Sequence, residues 1–418
     1  MRLVALLPGL CLSTLCAACG GSGGDATTGG PSTGEASTGA ASTGEQSTGT
    51  PSTGEQPTGG TSTGTTTEDS TTGPVEPPPP AVLTVLDKIV FYDGYAGLVD
   101  EPIPEGVIRH SNALVATRFS DDQLAMIGST MRIGVIVGAL CDNYDRIGNV
   151  NLALVPKGAA SYVPAEVQRI ELARFITPFM NMNKAPTTVP YQWDADNVVP
   201  ILKDEDLRAE YDFWFELSIF GVPYAAQNEV AGCAGRIDTQ LGSLLLDTDS
   251  KQPGQTFNTL IPLAISQSFN NYTEGASDEL GKTTKTVPFE LPEDTANAQL
   301  VLITSNHGAN AGGEEYIRRD HYVYVDEQLV LQYKPGRDSC EPFRKYNTQG
   351  NGIYGASPKS DAAWQSFSNW CPGDIIDTRI IPLGPVKAGA HSFVIHVPKA
   401  TFADAQGDFP FSLYVQAE

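Results

Sequence analysis

Aromatic residues are missing from Gly20 to Pro80, a segment made almost entirely of Gly, Ser, Thr, Pro, Glu and Gln. Such a segment cannot bury enough apolar surface to offset the entropy of ordering it. Basic residues are scarce throughout: 26 Lys and Arg stand against 49 Asp and Glu, a net charge of −23. A body this acidic argues against a nucleic-acid partner and against electrostatic docking on anionic lipid. The five histidines contain no His-x-His and no His-x-x-x-His, and the four cysteines of the body show no Cys-x-x-Cys or Cys-x-His spacing. A His- or Cys-based metal centre is therefore not expected, and no cofactor is implied. The first apolar run, Leu3–Ala18, falls short of the roughly 20 residues a membrane span needs.

That run follows Arg2 and reads as a signal peptide covering residues 1–19. It ends in Leu15-Cys16-Ala17-Ala18-Cys19-Gly20. Small residues before a Cys resemble a bacterial lipobox, which makes Cys19 the expected lipidated residue; Cys16 stands where Leu is more usual. Residues 20–80 then repeat Ser-Thr-Gly at Ser32, Ser37, Ser42, Ser47, Ser52 and Ser62, with Pro57-Thr58-Gly59 in the missing slot. A polar five-residue period packs into no repeat fold, so this is a disordered tether, stiffened at Pro77–Pro80. The protein is thus expected to be exported, either as an outer-membrane or cell-surface lipoprotein or as a secreted protein. Its only membrane contact would be the lipid.

The remaining chain is all-β in pattern. Short apolar or alternating runs recur between Gly, Pro and Asn turns: Lys88–Tyr92, Met131–Gly138, Asn149–Pro156, Asp212–Phe220, Ser243–Asp247, Gln299–Thr304, His321–Val325, Leu329–Tyr333 and Ser392–Val397. Glu166–Arg174 and Asp204–Glu210 are the short helix candidates. The pattern favours antiparallel sandwiches over α/β units. A turn-rich stretch, Asp247–Thr256, divides the body into domains at 81–250 and 251–418. Four cysteines, Cys141, Cys233, Cys340 and Cys371, argue for two disulfides in an exported protein, with three pairings possible.

Four segments are candidates for chemistry, each with a plainer reading. Cys141-Asp142-Asn143-Tyr144-Asp145-Arg146 follows an apolar run, where a loop can expose an acid on a rigid backbone; it also reads as an Asp-rich turn. Gly308–Ile317 brings Glu314 and Glu315 on a glycine-rich loop, and strand alternation lets only one of them face a shared site. It also reads as a solvated acidic loop. Glu216 sits in the aromatic run Phe213-Trp214-Phe215, half-buried or simply at a strand edge. Asn369-Trp370-Cys371-Pro372-Gly373 pairs an aromatic with a disulfide candidate; Trp370 would stack on a sugar or fill the core.

Together these residues resemble the bacterial peptide-N-glycosidase F family, amidases that remove N-linked glycans from Asn. The likeness runs over most of Leu86–Glu418. Its anchors are Cys141–Arg146, then Arg174-Phe175-Ile176-Thr177-Pro178, the Trp370-Cys371-Pro372-Gly373 turn and Thr378-Arg379-Ile380. The resemblance implies two tandem antiparallel jelly-roll sandwiches packed side by side, with an acidic site at their interface. It makes Asp145 the principal catalytic carboxylate, Glu315 its partner from the second domain and Glu216 a supporting carboxylate. Tyr144, Arg146, His307 and Trp370 become the substrate-binding residues. A family disulfide matches Cys340–Cys371, which leaves Cys141 to Cys233. Departures from the family pattern are Tyr144 for a Trp, Gly313 and Ile317 for two Cys, Phe367 for an Arg, and Ser218 and Asn306 for Trp.

The expected function is an exported, monomeric, metal-independent glycopeptide amidase acting on N-glycosylated peptides or proteins. Two alternatives are a non-catalytic jelly-roll lipoprotein that binds glycans or glycoproteins, and a carboxylate-pair glycosidase. Deleting Gly20–Pro80 should leave the melting temperature of the body unchanged; a substantial drop in a thermal scan would show that the tether packs.

Overall fold

The computed structural model describes residues 1–4, 77–308, 313–367 and 369–418. Cys19, the leader after Val4 and the Ser-Thr-Gly repeats lie outside the described residues. Arg2–Leu3 runs parallel beside Thr259 and Leu260, and Pro77–Pro80 leads into the first long strand.

Two sheets built mainly from residues between Ala81 and Asp249 share a core, to which Leu260, Val301 and Tyr414 also contribute. The four-stranded sheet has the spatial order Ala81–Tyr92, Asp238–Asp249, Thr130–Ala139, Thr188–Asp194. The six-stranded sheet runs Ile375–Ile376, Gln168–Ile176, Ile147–Pro156, Tyr211–Ile219, Leu114–Arg118, Val107–Ser111. Alternate side chains such as Phe91, Val135, Leu152, Phe215, Leu217 and Leu244 fill the space between them, as the period-two pattern requires. The second sandwich pairs a sheet ordered Arg2–Leu3, Thr259–Phe269, Phe409–Ala417, Thr295–Thr304, Arg379–Val386 with one ordered Thr284–Leu291, Gly389–His396, His321–Val325, Gln328–Tyr333. Phe289, Leu302, Val323, Phe393, Phe411 and Leu413 are among its core residues. The architecture is the two-sandwich, jelly-roll arrangement expected. One strand crosses over: Ile375–Ile376, late in the chain, pairs with Arg174 and Phe175 of the first sandwich.

Prolines explain where the strand pattern was hard to read. Thr188–Asp194 holds Pro190, Thr284–Leu291 holds Pro288, and Arg379–Val386 holds Pro382 and Pro385. All three strands lie at sheet edges, where a missing N–H costs no ladder bond. The helix expected at Glu166–Arg174 is not found. A three-residue 3₁₀ turn ends at Glu166, and Gln168–Ile176 is a strand buried on both faces, so its apolar run carries no alternation. Asp204–Glu210 does contain a helix, Glu205–Glu210, capped by the Asp204 carboxylate on the Leu207 N–H. Both disulfides are formed, Cys141–Cys233 and Cys340–Cys371. The second staples the long excursion between Tyr333 and Ile375, whose Trp364, Tyr354 and Ile353 pack with Phe179 of the first sandwich.

A buried ion pair holds the two sandwiches together. Arg174 is 1% exposed and Glu171 is fully buried. The guanidinium donates from Nε and Nη2 to the two Glu171 oxygens, each at 2.7 Å. Its Nη1 reaches into the second sandwich, to Ser305 Oγ at 2.9 Å and to the Pro410 carbonyl at 2.6 Å. Glu171 in turn accepts from the hydroxyls of Ser266 and Ser412, also of the second sandwich. Every strong polar group at this junction is therefore satisfied across the interface. Arg174→Ala would strand the Glu171 charge in the core, a loss of about 3–5 kcal/mol. Urea unfolding should show that loss, while the paired change Glu171→Leu with Arg174→Met should recover much of it. A single substitution costing less than about 1 kcal/mol would contradict this role.

Candidate active site

The loop after strand Thr130–Ala139 begins at Cys141, which the disulfide ties to Cys233. Its shape is then set by two residues. The Asp142 carboxylate accepts from the N–H groups of Tyr144 at 3.0 Å and Val222 at 2.7 Å, and from Arg146 Nε at 2.7 Å. Thr177 clamps the other side. Its hydroxyl accepts the Arg146 N–H at 2.8 Å and donates to the Tyr144 carbonyl at 3.2 Å, and its own N–H donates to the Arg146 carbonyl. Asp145 lies between these two pinned residues. Just beyond, Gly148 has Phe175 packed on it so closely that a Cβ would sit 2.1 Å from the ring. The run Arg174–Thr177 thus has a separate task for each residue: interdomain anchor, packing on Gly148, sheet pairing and loop clamp. Ile176 accepts from Tyr191 Oη and from the Gly373 N–H, which docks the Trp370–Gly373 turn onto the same strand.

These elements open onto a cavity of about 560 Å³. Asp145 and Glu315 both line it, from different sandwiches, with Tyr144, Arg146, His307 and Trp370. All six expected residues from those two loops and the Trp turn therefore share one space. Glu314 does not. It is buried, paired with Arg319 at 2.7 Å, and accepts the Thr401 N–H at 2.6 Å. Both of its oxygens thus serve the local structure.

The two cavity carboxylates differ in their partners. Glu315 accepts the Gly308 N–H at 3.1 Å and a hydrogen bond from the Tyr316 hydroxyl. Burial raises it, and these two donors work against that. Gly308 adopts φ +131, a backbone region suited to glycine, and a Cβ there would meet the Gln406 carbonyl at 3.0 Å. Asp145 has one buried oxygen, Oδ2, with no partner among the described residues. Burial and then the neighbouring Glu315 charge push its carboxyl up to about 7, against the pull of Arg146. An acid poised there can exchange a proton with water near neutral pH.

His307 is uncharged at neutral pH, because burial and then Arg174 push it down to about 3. Its Nε2 lies 2.8 Å from Ser305 Oγ. That hydroxyl also accepts from Arg174, so it links the imidazole to the interdomain guanidinium. The Trp370 indole donates to the Asn306 carbonyl at 3.0 Å. Phe367 stacks on Tyr316, with ring centroids 5.1 Å apart.

Glu216 is not brought to this cavity. It points to the other face of its strand from the core residues Phe215 and Leu217, and is fully buried there. Arg169 binds its carboxylate, with Tyr162 Oη at 2.7 Å and Asn151 Nδ2 at 2.9 Å. Strand alternation, which makes Glu216 and Phe215 opposite, overrides the expectation of a shared site. Residues missed in the sequence include Asn143, Phe179, Glu229 and Tyr316, and the run Gln349–Ile353. The Asn-Thr-Gln-Gly-Asn-Gly stretch at 347–352 was the available signal, being rich in amides and glycine. Among the described residues no three His, Cys, Asp or Glu side chains form a metal-binding group, and no helix is long and apolar enough to cross a membrane.

Two family models match the chain: peptide-N-glycosidase F, N terminal, over residues 82–235, and peptide-N-glycosidase F, C terminal, over residues 276–416. No curated protein matches. Among solved structures the chain is similar to PNGF-II, at 20% identity and a TM-score of 0.58, covering 81% of this chain and 65% of that one. It is also similar to recombinant peptide:N-glycanase F, at 17% identity and TM-score 0.53, covering 81% and 95%. A third is PNGase F, described as a glycosylasparaginase from Flavobacterium meningosepticum, at 17% identity and TM-score 0.51, covering 81% and 96%. These likenesses show the fold. The chain spans just under two thirds of the length of PNGF-II.

The raised Asp145 carboxyl has a consequence for stability. An unfolded Asp titrates near about 3.9. Between there and about 7 the folded protein keeps a proton that the unfolded chain has lost. Asp145 therefore favours the fold at low pH, and that contribution disappears as pH rises through about 7. Asp145→Asn should flatten this part of the stability–pH curve measured by urea unfolding. An unchanged curve would place the Asp145 titration elsewhere.

Proposed function

Because the chain belongs to the peptide-N-glycosidase F family, we propose that it is a glycopeptide amidase. It hydrolyses the side-chain amide that joins an N-linked glycan to Asn. The observation that carries this reading is the pair of carboxylates, Asp145 and Glu315, lining one cavity from two different sandwiches.

The proposed reaction uses one water. Asp145, ionised and with a free oxygen, takes a proton from the water as its oxygen attacks the side-chain carbonyl carbon of the glycosylated Asn. General-base assistance of this kind is worth roughly 10²–10⁴ in rate. The tetrahedral centre then collapses, the carbon–nitrogen bond breaks, and the proton held by Asp145 passes to the departing glycosylamine nitrogen. The products are Asp in the peptide and a 1-amino glycan, which loses ammonia in water. Glu315, held by the Gly308 N–H, sits beside the reacting group and holds the water or the sugar. Tyr144, 41% exposed and 5.6 Å from Phe179, offers a ring face to the sugar beside the Arg146 guanidinium. His307 and Trp370 line the same cavity. No residue role here requires a metal.

Two disulfides fit folding in an oxidising compartment. Export, with Cys19 as a lipid anchor, the Gly20–Pro80 tether and action as a monomer, completes the proposal. The domain limits 81–250 and 251–418 belong to it as well. A second reading, a glycan-binding protein without catalysis, is favoured by one observation: Glu216, the expected supporting carboxylate, is sequestered by Arg169.

The test is release of glycan from a denatured N-glycoprotein, read by mass as Asn converted to Asp. Glycan bound with Asn intact supports the binding protein; glycan cut within its sugars supports a glycosidase. For the amidase, kcat/KM should climb with pH through about 7, as the Asp145 base ionises. Asp145→Asn should abolish release while the protein stays folded. Glu315→Gln removes the like charge, so the acid limb of the residual activity should move to lower pH. Full activity in Asp145→Asn would remove this mechanism.

A further inference from the structure

The cavity lining carries a second unmet polar atom, on Asn143. Asn143 is 1% exposed. Its Nδ2 donates to Glu229 Oε2 at 2.7 Å. Only the amide nitrogen can donate to a carboxylate, so this bond fixes which end of Asn143 is which. The other end, Oδ1, is buried with no partner among the described residues. Asn143 and Glu229 both line the cavity. Leaving a buried carbonyl unpaired is costly, so such an atom is held by design or awaits a donor.

The surroundings hold this pair in place without satisfying it. Glu229 ends the helix Ala226–Glu229, four residues before Cys233 in the disulfide to Cys141. Asn143 is two residues after Cys141 in the clamped loop. From the second sandwich, Gln349 Nε2 approaches Glu229 Oε2 at 3.4 Å, while its Oε1 is taken by Asn181 Nδ2 at 2.9 Å. Both ends of Gln349 are thus used, and Glu229 Oε1 takes no hydrogen bond among the described residues. No Lys or Arg pairs with Glu229 there either. The oxygens left without a partner are one amide carbonyl and one carboxylate oxygen.

We infer that Asn143 and Glu229 form a substrate-recognition subsite for neutral hydrogen-bond donors, distinct from the Asp145–Glu315 pair. The donors are sugar O–H or acetamido N–H groups, or peptide N–H groups, of the molecule whose amide lies between Asp145 and Glu315. Carboxylate, sulfate or phosphate at this point on the substrate is disfavoured, because the Glu229 charge and the Asn143 carbonyl would meet it. Its place in the substrate rests on the amidase reading; its donor-binding chemistry does not.

The test is calorimetric binding of two uncleavable probes to the full chain: the oligosaccharide released from an N-glycoprotein, and the matching unglycosylated Asn peptide. At least one should bind, and Asn143→Ala and Glu229→Ala should each weaken it on the order of tenfold. Loss of oligosaccharide affinity identifies sugar donors; loss of peptide affinity identifies backbone N–H donors. Because the two residues share one hydrogen bond, their losses should not add. Glu229 is exposed at the rim, so its variant guards against a merely misfolded Asn143→Ala. If neither probe binds the unmodified protein, or if both variants bind unchanged, the subsite is wrong. Binding with these losses but no glycan release sinks the amidase reading and keeps the subsite. Glycan release with unchanged KM in both variants keeps the amidase and sinks the subsite.

Discussion

The Arg174–Glu171 pair is the constraint on which the rest depends. One guanidinium, buried at the junction, binds an acid of its own strand, a hydroxyl and a carbonyl of the other sandwich. A buried pair is weak evidence of net stability, but its geometry fixes register. Here the register is that of one jelly roll against another. The same strand continues through Phe175 and Ile176 to Thr177, whose hydroxyl and N–H hold the loop that carries Asp145. On the opposite side, Ser305 passes the contact to His307. A single short segment therefore sets both the interface and the aim of side chains on either side of the cavity.

Within that frame, five acids of similar chemistry have different fates, and their neighbours decide. Glu171 and Glu216 are each neutralised by an arginine and lie away from the cavity. Glu314 is spent on Arg319 and a backbone N–H. Glu315, the next residue, turns into the cavity with a Gly308 N–H on one oxygen. Asp145 keeps an oxygen with no partner and a carboxyl raised to about 7 by burial and by Glu315. Unequal partners on two facing carboxylates are how one pair can supply a base and a fixed charge at one pH.

Much of this was readable before any coordinates. Strands with one buried face announced themselves by alternation, as at His321–Val325. Strands buried on both faces did not, so Gln168–Ile176 resembled a helix, and proline obscured three edge strands. Asp145, Arg146, Glu315 and Trp370 stand in local motifs, while their roles and that of His307 come from the family resemblance; Glu314 and Glu315 lie in a turn rather than a strand, so their contacts with Arg319 and Gly308, not alternation, separate them. Glu216 lies in a true strand, where its neighbours Phe215 and Leu217 are core residues and require it to face away. Asn143, Glu229 and Gln349 meet only in the folded chain, across 86 and 120 residues, and no spacing rule connects them.

The central claim is that the interface makes Asp145 and Glu315 one working unit. A double-mutant cycle on glycan release measures this directly, using Asp145→Asn, Glu315→Gln and the double variant with kcat/KM as the readout. The claim predicts that the double variant is little worse than the poorer single variant, since either change already disables the unit. Losses that multiply, as for two independent groups, would contradict it.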